Sequence, residues 1–175
     1  MTGPEFSRAV RIDSLSAEPW ALAIEAGEDE RRALAGRFGL VAIDRLTAET
    51  LLRRDGGEVV ATGRFAAAVT QSCVASGAPV AAAIEARFEV RFRPESESGR
   101  AGEEIELDEG EMDVIFYAGE AVDIGEAVAE TLALSLDPYP RAPDAEAALK
   151  AAGVKSEEEA GPFGALAGLR DKLKP

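Results

Sequence analysis

The sequence predicts an α+β domain, a strongly twisted antiparallel sheet with at least two helices, and three observations carry that expectation. Val80, Ala82, Ile84, Ala86, Phe88, Val90 and Phe92 alternate with Ala81, Ala83, Glu85, Arg87, Glu89, Arg91 and Arg93, which is the period of a strand with one apolar face. Asp55-Gly56-Gly57 separates two further strand-like runs and supplies the positive φ of a tight hairpin turn. Ile124, Val128, Leu132 and Leu136 recur every fourth residue behind Asp123 and Glu126, whose spacing is that of a helix cap. Consecutive runs of this kind give a meander, with closure toward a barrel left open.

In chain order, Phe6 to Ile12 and Trp20 to Ala26 read as short strands. Glu28 to Phe38 reads as a helix, because acids fill its first turn, Leu34 and Phe38 lie four apart, and Gly39 follows as a stop. Val41 to Arg53, Val59 to Cys73 and Val80 to Phe92 form three antiparallel strands, with Ser76-Gly77 and Pro79 turning the second into the third. Met112 to Tyr117 is one more strand. Pro138 ends the second helix, and Asp137-Pro138-Tyr139-Pro140-Arg141 leaves it as a stiff extended segment. Residues 1–141 make a single domain, and 142–175 make a flexible tail rich in Ala, Gly and charge. Within the tail, Pro162 opens a short amphipathic helix at about 162–173, striped by Phe163, Leu166, Leu169 and Leu173.

A chain of 175 residues buries one respectable core without a disulfide or metal staple. No histidine is present, which removes His-based acid–base catalysis, His-containing triads and His metal ligation. The single cysteine, Cys73, allows no internal disulfide and no multi-thiolate zinc site, so no cofactor is expected. No apolar run approaches the ~18–20 residues of a membrane span, and no basic segment followed by an apolar one opens the chain. A cytoplasmic protein with no membrane contact is the expectation.

Nineteen basic against 33 acidic residues give a net charge of −14. From Glu95 to Asp113, nine acids face one base, so this stretch carries −8. Residues 95–111 are expected to form a mobile acidic loop, since Ser96 to Gly102 holds almost no large apolar side chain. Glu103, Glu104, Glu106, Asp108, Glu109, Glu111 and Asp113 are candidates for capturing a Lys/Arg-rich protein, because complementary charge accelerates encounter. The bland reading is a solvated loop with weak ion binding, as the run lacks the alternating oxygen ligands of a calcium loop.

Three arginines on the charged side of the strands, Arg64, Arg87 and Arg91, are candidates for an RNA-facing surface. An ordinary mixed-charge surface is the competing reading, because nine arginines within residues 1–64 are offset by 11 acids and no RNA-binding aromatic motif or GxxG clamp is visible. Cys73 reads as a small semi-buried thiol, with no histidine to activate it as a nucleophile. Gly56-Gly57 lacks the context of a phosphate loop, and nothing nominates a catalytic pair; an enzyme is not expected.

Two blocks resemble the YceD-like family of large ribosomal RNA subunit accumulation proteins. The first is Gly63-Arg64-Phe65 with Val69-Thr70-Gln71-Ser72-Cys73-Val74 and Pro79-Val80. The second runs from Val122-Asp123-Ile124-Gly125-Glu126 through Glu130, Leu132 and Leu134 to Leu136-Asp137-Pro138-Tyr139-Pro140-Arg141. The resemblance implies that Gly63, Gln71, Cys73, Asp123, Glu130, Asp137, Pro138, Tyr139, Pro140 and Arg141 are family-motif positions. Family members often carry a CxxC-like pair that suggests metal binding, whereas here Ser76 stands three residues after Cys73 and the tail has no cysteine. The resemblance further implies a non-enzymatic ribosome biogenesis factor for synthesis, processing or stability of large-subunit (23S) rRNA. Joined to the charge, it gives an acidic adaptor for a basic ribosomal protein or assembly factor, with direct rRNA binding through the arginine-bearing strands as the alternative.

Overall fold

A computed structural model describes residues 4–95 and 113–154. Two compact units divide the chain, one of residues 1–71 with 81–138 and one of 72–80 with 139–175.

The larger unit begins with β1 (Ala9–Arg11), a 3-10 turn (Ile12–Ser14), β2 (Trp20–Glu25) and α1 (Glu28–Phe38). Then come the long strands β3 (Ala42–Asp55), β4 (Glu58–Ser72) and β5 (Pro79–Pro94), and finally β6 (Asp113–Tyr117), β7 (Ala121–Asp123) and α2 (Ile124–Ser135). Five strands make one sheet in the order β2-β3-β4-β5-β6, and β1 pairs with β7 in a two-stranded sheet. β2, β3 and β4 pair antiparallel. β4 and β5 are neighbours joined only by residues 73–78, a link short enough for a hairpin alone. The register Asp55↔Glu58 leaves Gly56-Gly57 as a two-residue turn, with Gly56 at φ 62.

Alternation along these strands separates core from surface. After a bulge at Asp44, Leu46, Ala48, Thr50 and Leu52 of β3 are buried, while Arg45, Glu49 and Leu51 stand on the opposite, outer face. Phe65 and Val69 of β4 and Phe88, Val90 and Phe92 of β5 share one core with Leu34 and Ala35 of α1 and Ile124, Val128 and Leu132 of α2. α1 forms where its sequence signals place it: the Glu30 carboxylate accepts from the Gly27 N–H at 2.7 Å, and Gly39 at φ 65 closes the helix.

Two expectations need correction. β6 runs parallel to β5, from Val90↔Asp113 to Pro94↔Tyr117, so the sheet is mixed rather than antiparallel throughout. The link between these strands, residues 95–112, is long enough for the crossover that a parallel pair requires. Of Phe6 to Ile12, only Ala9–Arg11 pairs as a strand, because side-chain and close-packing contacts hold the residues before it. Among the described residues the sheet is open, with β2 and β6 outermost.

In the smaller unit, Cys73 N–H donates to Ala78 O at 2.8 Å and Val74 N–H to Pro140 O at 2.9 Å. Of the residues expected to form a tail, Ala145–Ala151 are α3, and Ala142 and Ala145 are buried with Cys73 beneath Ala75, Ala78 and Val80. The helix expected at 162–173 lies outside the described residues.

Two core positions yield expectations for stability. Thr50 is 3% exposed and its Oγ1 has no hydrogen-bond partner among the described residues, a desolvated hydroxyl without compensation. Thr50→Val is expected to raise the unfolding free energy by roughly 1 kcal/mol, read from the denaturant midpoint at unchanged slope. A Cβ at Gly63 would stand 2.4 Å from the Glu49 carbonyl oxygen and 2.9 Å from the Phe88 ring. Gly63→Ala is therefore expected to destabilise by about 1–3 kcal/mol in the same titration, since backbone must give way.

Candidate interaction surface

The outer face of the sheet carries the charged half of each strand's alternation. Across β2 to β5 it forms an open trough of about 830 Å³ lined by Glu25, Arg45, Glu49, Arg64, Glu85 and Arg87, with Ala23, Thr47 and Ala66 between them. Three bases and three carboxylates line it, so the trough is charge-balanced.

Pairing within that face decides which charges are available. Glu49 and Arg64 are cross-strand partners, and the Arg64 Nε and Nη2 groups donate to one Glu49 oxygen at 3.0 and 2.7 Å. Farther along β5, Arg91 and Arg93 converge on the two oxygens of Glu58 at 2.6 and 2.7 Å. Of the three arginines expected to face RNA, Arg64 and Arg87 line the trough together, whereas Arg91 stands with Arg93 over Glu58. Among the described residues neither Arg45 nor Arg87 has an ion-pair partner. Glu49 and Glu58 were not singled out by sequence reasoning, although pairing outward from the Gly56-Gly57 turn places Glu49 opposite Arg64.

Asp113, exposed, opens β6 beside Val90. The other six acids proposed for partner capture, Glu103, Glu104, Glu106, Asp108, Glu109 and Glu111, lie outside the described residues.

The motif residues of the second block build a joint at the start of α2. Asp123 caps the helix: its Oδ1 accepts from Glu126 N–H at 3.1 Å and from Arg8 N–H at 2.8 Å, and its Oδ2 accepts from the Ser7 hydroxyl. Gly125 is needed because a Cβ there would lie 2.3 Å from the Phe6 carbonyl oxygen. Glu126 receives Arg37 of α1 at 2.7 and 3.0 Å, and Arg37 also binds Glu5 at 3.0 Å. Arg8 forks onto both oxygens of Glu30 at 2.7 and 2.9 Å, which holds the Glu30 carboxyl below its ordinary range.

Gln71, buried at the end of β4, donates from Nε2 to the Asp137 carbonyl at 2.8 Å, tying the strand to the exit of α2. Glu130, Pro138, Tyr139 and Arg141 are exposed, while Pro140 is buried.

Cys73 is a free thiol, 3% exposed, whose Sγ accepts from the Ala142 N–H at 3.3 Å. That bond and a second from the Ser76 side chain lower its pKa from an ordinary 9.0 to about 7, against the opposing effect of burial. Ser76 thus contacts the thiol from three residues further along the chain. No three His, Cys, Asp or Glu side chains gather as a metal site among the described residues, and no helix among them is long and apolar enough to cross a membrane.

The fold and its contacts define an α+β domain in which Asp123 caps a helix, Gly125 admits a carbonyl and Gln71 pins a strand end. A family pattern described as large ribosomal RNA subunit accumulation protein YceD matches residues 61–170, and the chain belongs to that family. Its role accordingly lies in the accumulation of large-subunit ribosomal RNA. No curated protein and no solved structure gives a match.

The thiol supplies a pH test. Its folded pKa of about 7 lies below the ordinary 9.0, so between those values the unfolded chain binds more protons and stability rises with pH. That rise is fully present above the unfolded value and is lost as pH falls through the folded one. Unfolding titrations across this window are expected to show it in the parent chain and not in Cys73→Ser, and a flat profile for both would refute the assignment.

Proposed function

We propose that the chain supports large-subunit rRNA accumulation as a non-enzymatic cytoplasmic adaptor. It holds a basic ribosomal protein or assembly factor through Glu103, Glu104, Glu106, Asp108, Glu109, Glu111 and Asp113. One observation carries the choice over direct RNA binding: Arg64 is tied to Glu49, and Arg91 shares Glu58 with Arg93. Affinity for nucleic acid comes mainly from clustered cations that are free to neutralise phosphates. On this face Arg45 and Arg87 stand among Glu25, Glu49 and Glu85, which repel a polyanion.

The stretch from Glu95 to Asp113, by contrast, concentrates −8 of the total −14. A local field of that density raises the rate of encounter with a Lys/Arg-rich surface, and exposed charges of this kind are screened by salt. Replacing the six acids from Glu103 to Glu111 by their amides is expected to remove a basic protein from pull-downs, and added salt to weaken its capture by the parent chain. Nuclease treatment is expected to leave that complex intact. Retention of the same partner by the amide variant, or its loss on nuclease treatment alone, would overturn the adaptor in favour of RNA contact.

A further inference from the structure

We infer that the edge of β2 is a self-pairing surface, on which a second copy of this chain adds its own β2 antiparallel about a two-fold axis at Leu22. β2 is outermost in its sheet, and among the described residues no strand covers its other side. Trp20, Leu22 and Ile24 face Leu52, Thr50 and Ala48 of β3, and Ala26 N–H continues that ladder to Leu46 O at 3.0 Å. Antiparallel partners exchange their bonds at every second residue, so the N–H and C=O of Ala21, Ala23 and Glu25 point away from β3. The Glu25 carbonyl bears this out, because Arg8 Nη2 donates to it from outside the ladder at 2.8 Å. Ala21 and Ala23 are exposed and small, so a second backbone can approach them.

The pattern of donors and acceptors along that edge selects the occupant. With Ala21 opposite Ala23 of the second copy, and Ala23 opposite its Ala21, the outward N–H and C=O of all four alanines are met. One step further out, Glu25 falls opposite Pro19. Pro19 has no N–H to offer, and the Glu25 carbonyl needs none, since Arg8 already donates to it. Between Pro19 and Glu25 the one missing donor thus meets the one occupied acceptor. Glu25 N–H in turn meets the Pro19 carbonyl, which a trans peptide directs opposite to the Trp20 N–H. A strand of unrelated sequence brings a superfluous donor to Glu25, whereas the two-fold copy carries proline in that place by construction.

Side chains agree with this register. On the core-facing side Leu22, half-buried, meets its own copy, and Trp20, 47% exposed, stands across from Ile24. Charge sets the strength of the pairing. Glu18 and Glu25 flank the edge, Arg8 is shared with Glu30, and Arg64 on the outer face is held by Glu49. The two-fold brings Glu25 of each copy near Glu18 of the other, and each chain carries −14. So short an edge buries little area, so the dimer is weak and strengthens as salt screens the repulsion.

Sedimentation of the full chain is expected to show a reversible dimer with Kd on the order of 10–100 μM in about 0.5 M salt. In about 0.05 M salt the pairing is expected to be about threefold weaker or more, the reverse of the salt dependence of a basic partner. Ala23→Pro removes an outward N–H at an edge position that tolerates proline, and is expected to weaken the dimer by about tenfold or more; Ala21→Pro serves should the first variant fold poorly. In a Cys73→Ser chain, Leu22→Cys is expected to give an inter-chain disulfide under mild oxidant, because position 22 lies about 4.5 Å from its copy between Cα atoms. Ala23→Cys, roughly 8–9 Å from its own copy, is expected not to bridge. A dimer indifferent to proline, or bridging through Ala23→Cys in place of Leu22→Cys, overturns the proposal. So does a chain monomeric in both salts, which would assign the edge to a strand of other origin.

Discussion

The Asp123 carboxylate holds three parts of the chain at once, and the arrangement of the larger unit depends on it. Its oxygens accept from the first turn of α2, from the Arg8 backbone and from the Ser7 hydroxyl. A helix cap alone contributes about 1 kcal/mol, but here the same group also fixes the entry of the N-terminal segment. With residues 6–8 so placed, Phe6 is fully buried, its carbonyl passes over Gly125, and Ile124 N–H reaches Arg8 O at 3.1 Å. The arginines then join α1 to this joint, Arg8 through Glu30 and Arg37 through Glu126 and Glu5. These pairs are only partly exposed and share partners, which makes them worth more than isolated surface pairs.

That joint explains which features were legible in the sequence. The long strands β3 to β5 and both major helices follow from local signals: period-two alternation, the Gly56 turn, the acidic first turn of α1 and the Asp123 cap. A parallel β6 was not legible, because direction is set by the long link before it and five residues of strand read the same either way. Phe6 to Arg8 alternate well enough to pass for a strand, yet what fixes them is a carboxylate more than a hundred residues away in sequence. α3 was hidden for a related reason. Its buried position is Ala145, which with Ala142 in the segment before it is too small to mark an apolar face until Cys73 is beside them.

For the surface, identity was legible and availability was not. Arg64, Arg87 and Arg91 could be placed on one strand face from alternation alone, but only cross-strand register shows that Glu49 holds the first and Glu58 the third. A count of arginines overstates the cationic character of such a face, because each paired guanidinium has already exchanged water for a carboxylate. The same holds for Cys73, whose environment is set by the Ala142 amide, a contact no spacing rule reveals.

The residues on which the sequence resemblance rests divide by what they touch. Gly63, Gln71, Asp123 and Gly125 meet backbone, and each is required by a close approach or a buried polar bond. Glu130, Pro138, Tyr139 and Arg141 are exposed, while Pro140 beside Tyr139 is buried. A scaffold that spends its signature glycines and carboxylates on holding strands and helices in place leaves recognition to exposed groups. The sequence concentrates −8 of its −14 between Glu95 and Asp113, and electrostatic attraction of that kind requires no pocket, only opposite charge.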